Sequence, residues 1–118
     1  MSFGTYFRSL RTSKHITQQQ IADAIGKSKM LVSGIETDKN GPFIDKDLDI
    51  ISKSLGLTKN EKKNLFKEAA KARGKLPKYL QEYLTTSDEA YDLLEMCAQK
   101  KPEKEMLYRI MQIIKESN

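Results

Sequence analysis

Residues 17–36, TQQQIADAIGKSKMLVSGIE, decide how this chain folds. Thr17 followed by Gln20 has the capping-box form, in which a hydroxyl meets a free amide at a helix start and a side-chain amide reaches back. The spacing predicts a short helix running to about Ala24 and stopping at Gly26, with Ile21, Ala22 and Ile25 on one narrow inner face. Ser28 is a good N-cap for a second short helix, whose Leu31, Val32 and Ile35 point inward. Lys29, Met30, Ser33 and Gly34 are then left where water, a partner or a ligand meets them.

Outward from that pair the helical reading continues in both directions. Phe3, Phe7 and Leu10 share one face of a first helix spanning Phe3–Ser13. After Glu36, TDKNGPF reads as a loop by its Asn-Gly-Pro punctuation. A fourth helix follows, capped by Asp45 or Asp47, lined by Leu48, Ile51 and Leu55, and ended by Gly56. Thr58 and Glu61 form another capping box and open a fifth helix, Lys59–Arg73, with Leu65, Phe66 and Ala69 apolar. Its Lys62, Lys63, Lys67, Lys71 and Arg73 make the remaining surface basic.

Gly74 and Pro77 mark the one candidate boundary, which divides the chain into residues 1–75 and 76–118. Beyond it Leu76, Leu80, Tyr83 and Leu84 share a face, and Ser87 caps a helix carrying Tyr91, Leu94 and Ala98. Pro102 suits the first position of a last helix with a broad stripe of Met106, Leu107, Ile110, Met111, Ile113 and Ile114. That stripe needs a cover. No alternating β-branched run and no internal repeat is present. The fold class expected is all-α: a five-helix domain over residues 1–75 followed by a short C-terminal helical segment.

Composition agrees with a folded chain carrying a heavily solvated surface, since 118 residues are 38% hydrophobic and 31% charged. No stretch approaches the roughly 18 apolar residues of a membrane span, and the N-terminus lacks an apolar signal core, so a cytoplasmic protein without membrane contact is expected. Cys97 stands alone, cannot form an internal disulfide, and reads as a buried helical core residue. The charge divides unevenly. Residues 1–75 carry 15 Lys and Arg against 8 Asp and Glu, a net of +7, whereas residues 76–118 carry 6 against 8, a net of −2. A basic excess confined to one part fits a polyanion such as nucleic acid, because phosphate neutralisation releases counterions.

Catalysis has little to work with. His15 is the only histidine and has no second His or Cys nearby to share a metal. There is no GxGxxG, GxxxxGK[ST] or GxSxG, so no enzyme activity, cofactor or metal is expected. The pair of short helices around Gly26 is more informative: a tight turn of about three to four residues with a glycine, between helices crossing steeply, is the DNA-binding helix-turn-helix geometry. Its second helix can lie in the major groove of double-stranded DNA, roughly 12 Å wide, and read bases near its N-terminus.

QQQIADAIGKSKMLVSGIE, residues 18–36, is similar to the motif of the Cro and phage-repressor helix-turn-helix family, often called Xre-like. The likeness extends more weakly over residues 3 to about 57, including the LGL that closes the fourth helix. The resemblance implies that Gln18 bonds a phosphate and steadies the first reading side chain. It implies that Lys29, Met30 and Gly34 face base edges, with Lys27, Ser28, Ser33, Thr37, Lys39 and Asn40 near the DNA backbone. Arg11 and Glu36 match a structural ion pair tying the first helix to the end of the third. The reading positions depart from common members: Met30 offers only an apolar contact, Gly34 offers no side chain, and Lys29 alone can make a strong polar contact, most naturally to guanine. An interior glycine costs about 1 kcal/mol against Ala, so either DNA or another group comes close at Gly34.

The function this implies is a sequence-specific transcriptional regulator, a repressor binding a near-palindromic operator as a homodimer. Leu80, Tyr83, Leu84, Leu107, Ile110, Met111 and Ile114 are the expected dimer or partner interface. The alternatives are an antitoxin or other protein that binds a partner through its C-terminal helices and regulates its own operon, or a helix-turn-helix fold used only for protein contact.

Overall fold

The helices begin where a side chain captures a free amide. In the computed structural model, which describes residues 1–117, Ser2, Thr17, Ser28, Thr58 and Ser87 each accept the amide three residues on, and Thr17 and Thr58 complete reciprocal capping boxes with Gln20 and Glu61. The resulting helices are α1 (Phe3–Ser13), α2 (Gln18–Ile25), α3 (Lys29–Glu36), α4 (Asp45–Ser54), α5 (Lys59–Arg73), α6 (Lys78–Thr86), α7 (Asp88–Lys100) and α8 (Lys104–Glu116). No strand occurs among the described residues. The fold is all-α.

Two of the expected starts differ in detail. Neither Asp45 nor Asp47 caps α4; Ile44 holds the N-cap position without a side-chain bond, and both aspartates lie in the first turn. There they favour the helix dipole, while their carboxylates are drawn sideways to cations, Asp45 to Arg73 at 3.0 Å and Asp47 to Lys27 at 2.5 Å. Pro102 is not the first residue of α8. Lys101 closes α7 in a left-handed conformation, φ 49°, and α8 starts only after Glu103.

The compact units divide after Pro77. In the first, α2 packs on α3 and α4, α1 on α3 and α5, and α4 on α5. Phe7 is fully buried at the centre, stacked at 6.1 Å from Phe3 and edge-on at 4.8 Å to Phe43. Around it Ile21, Ala22, Val32, Leu48, Ile51, Leu65 and Ala69 have no exposed surface. Phe43 comes from a segment that reads as loop, and Arg73 donates to its carbonyl, fastening that segment to the end of α5.

The second unit has a different character. α6 packs on α7, and no residue in the three helices is buried. Cys97, expected in a core, is only half-buried because α7 has too few neighbours to enclose it. Of the expected interface residues, Leu80, Leu84 and Ile110 are half-buried, and Tyr83, Leu107, Met111 and Ile114 are exposed. Ile113 and Met96 are exposed beside them, at 68% and 60%.

One bond network makes stability depend on pH. Glu61 accepts the Thr58 amide at 2.9 Å and meets Lys14 at 3.0 Å. Those contacts, the backbone bond first, hold its carboxyl below the usual value. A carboxylate with a depressed folded-state pKa contributes stability above its unfolded pKa and loses it as pH falls through the folded one. Glu61→Gln therefore unfolds at a lower temperature than wild type near neutral pH, and the gap closes as pH drops from about 5 to about 3. A gap constant across that range would contradict the assignment.

Candidate nucleic-acid interface

The reading-helix candidate is built from its buried side outward. Val32 and Ile35 anchor α3 in the core. At its end Glu36 takes two bonds from Arg11, Nε to Oε2 at 2.7 Å and Nη2 to Oε1 at 3.0 Å, the fork geometry in which arginine holds a carboxylate most firmly. Arg11 Nη1 donates to the Ile16 carbonyl at 2.8 Å, and Gln18 Nε2 donates to Glu36 Oε1 at 3.0 Å. One carboxylate thus joins α1, the start of α2 and the end of α3.

Between α2 and α3 lie only Gly26, Lys27 and Ser28. Gly26 takes φ 68°, which a residue with a Cβ adopts reluctantly, and this reverses the chain sharply enough for α3 to cross α2. The first turn of α3 consequently stands clear of the core. Lys29 is exposed, and Met30 is 82% exposed although nothing about a methionine favours water. Neither Lys29 nor Lys39 joins an ion pair among the described residues. Beside Lys29, the start of α2 and the end of α1 form an open groove lined by Thr12, His15, Gln18 and Gln19. A helix start of this kind presents backbone amides and the positive end of a dipole to an anion.

The structure sorts the remaining expected contacts. Ser28 accepts the Leu31 amide at 3.1 Å and is exposed. Ser33 is half-buried, while Thr37, Lys39 and Asn40 are exposed on the following loop. Thr37 Oγ1 donates to the Ser33 carbonyl at 2.9 Å. Lys27 differs from its expected place: its ammonium is committed to Asp47, whose side chain is 5% exposed, so it neutralises a buried carboxylate. Gly34 differs most. It is buried rather than facing solvent, and a Cβ there would collide with the Asn40 carboxamide, whose Cγ stands 3.2 Å away.

Two positioning residues escape sequence reasoning. Asp38, at φ 62°, accepts the Gly4 amide at 3.1 Å and so ties the loop after α3 to the first turn of α1. Gly4 has no room for a side chain, since a Cβ would lie 2.5 Å from the Ile35 carbonyl and 2.6 Å from that of Glu36. A glycine in the first turn of a helix was the only available signal.

The described residues contain no group of three or more His, Cys, Asp or Glu able to hold a metal, and no helix long and apolar enough to cross a membrane. Residues 7–61 match the helix-turn-helix family, a span just under half of the chain that includes α2, the turn and α3. No curated protein matches the chain.

Proposed function

We propose that the chain, whose residues 7–61 match the helix-turn-helix family, is a sequence-specific DNA-binding repressor that binds a near-palindromic operator as a homodimer. The observation that carries this reading is the first turn of α3, where an unpaired Lys29 and an exposed Met30 stand on a helix whose opposite face is locked into the core. Side chains at that place on a second helix reach base edges when the helix enters the major groove. Lys29 donates to guanine O6 or N7, and Met30 packs on a thymine methyl. Ser28, Thr37 and Lys39 flank them and hold the sugar-phosphate backbone, and the second amide hydrogen of Gln18, whose first goes to Glu36, meets the neighbouring phosphate. Lys27 is outside this set, being spent on Asp47.

A single short helix reads too few base pairs to select an operator, which is why two copies placed about 34 Å apart along one DNA face are needed. The uncovered apolar faces of α6, α7 and α8 support such a pairing. They belong to the acidic part of the chain, so pairing through them leaves the basic residues 1–75 free for DNA.

Lys29→Ala is expected to lower specific binding by about 1–3 kcal/mol while binding to random DNA stays nearly unchanged. Fluorescence anisotropy on a selected duplex and on a scrambled one separates the two. Equal loss on both would make Lys29 a phosphate contact. In the same titrations log K falls linearly with log salt, with a slope of roughly −0.9 per neutralised phosphate. A flat salt profile would remove DNA as the partner.

A further inference from the structure

Gly34 lies four residues after Met30, so its side-chain position falls one turn further along the same face of α3. That position holds no side chain of its own, yet it is not empty. The loop after α3 folds back over it: the Gly34 carbonyl accepts the amides of Lys39 at 2.9 Å and Asn40 at 3.1 Å, and the Asp38 bond to Gly4 fixes the loop from its other side. The Asn40 carboxamide is thereby laid against the Gly34 Cα, in the space that a side chain at 34 would fill. Asn40 is exposed, and its carboxamide makes no hydrogen bond among the described residues. Its donors and its acceptor are therefore unspent at the one point of the reading stripe where the helix offers nothing.

We propose that Asn40 is a specificity-determining residue, a base reader delivered from the loop into the place that Gly34 vacates on α3, and that its preferred target is adenine. A carboxamide pairs with adenine through two bonds, donating to N7 and accepting from N6, and no other base offers that pattern in the major groove. Glycine at 34 is then required for function, because any Cβ displaces the reader. This proposal rests on the DNA reading above and changes the expected role of Asn40 from holding the backbone to reading sequence.

The test uses the full chain and duplexes selected from a random pool, each base pair of the selected site being substituted in turn. Wild type is expected to discriminate at an A·T pair next to the positions read by Lys29 and Met30. Asn40→Ala loses about 10- to 100-fold discrimination at that one pair and keeps the rest, together with its affinity for random DNA. Gly34→Ala, whose methyl pushes the flexible end of Asn40 aside at little cost to the fold, loses the same discrimination. The double variant loses no more than either single one, because the two changes act on one contact. Equal weakening by Asn40→Ala on every duplex, or no change at any base pair, overturns the proposal while leaving the repressor reading intact. A wild-type chain with no sequence preference and no salt dependence removes both together.

Discussion

Glu36→Ala is expected to destabilise the helix-turn-helix unit by about 3–5 kcal/mol, read from the shift of the urea midpoint at constant slope. The size follows from what the carboxylate holds. Its side chain is 2% exposed and satisfies Arg11, itself 10% exposed, through two bonds and Gln18 through a third. Truncation leaves a guanidinium in a water-poor site with only the Ile16 carbonyl as partner. A desolvated charge without a counter-charge is far costlier than the net worth of the pair it came from. Native domains are stable by about 5–15 kcal/mol, so the loss is a large share of the whole. Arg11→Met combined with Glu36→Leu removes both charges and should recover most of it. A loss below about 1 kcal/mol for Glu36→Ala would mean that the pair behaves like one on an open surface.

The second large effect concerns DNA affinity rather than stability. Ile110→Asp combined with Ile114→Asp is expected to turn the proposed dimer into a monomer and to lower affinity for a two-half-site operator by roughly 10²- to 10⁴-fold, the usual gain from linking two binding events. Both residues lie on α8, where Ile110 is half-buried and Ile114 exposed, and neither belongs to the core formed by residues of α1 to α5 and the loop residue Phe43. The exposed Met96, Met111, Ile113 and Ile114 are the apolar surface on which the proposed pairing rests. Light scattering on wild type and variant, with urea unfolding in parallel, separates dissociation from unfolding. A wild-type monomer at micromolar concentration contradicts the homodimer. A wild-type chain that is purified in fixed ratio with a different protein assigns the same surface to that protein.

Much of the fold is written locally. Capping residues such as Thr17, Ser28 and Thr58, together with turn glycines such as Gly26 and Gly74, act within three or four positions of themselves, which is why their effect is readable in one dimension. The inner faces of α2, α3 and α4 are equally plain from their spacing. What sequence spacing does not carry is the choice of partner across the fold. Lys27 reads as a free cation beside the reading helix until Asp47, twenty positions on, is seen to hold it. Gly34 reads as a gap until the loop is seen to return Asn40 to it. Phe43 reads as loop because Asn40, Gly41 and Pro42 precede it, although it is among the most deeply buried residues. Cys97 reads as core because its neighbours are apolar, but α7 has too little around it to make one.

Selection of bound sites from random DNA by the full chain is the decisive measurement. A near-palindromic consensus is expected, with half-site centres about one helical turn, roughly 34 Å, apart and a guanine, a thymine and an adenine clustered in each half. Absence of any enriched sequence, or a single half-site without its symmetric mate, would contradict it.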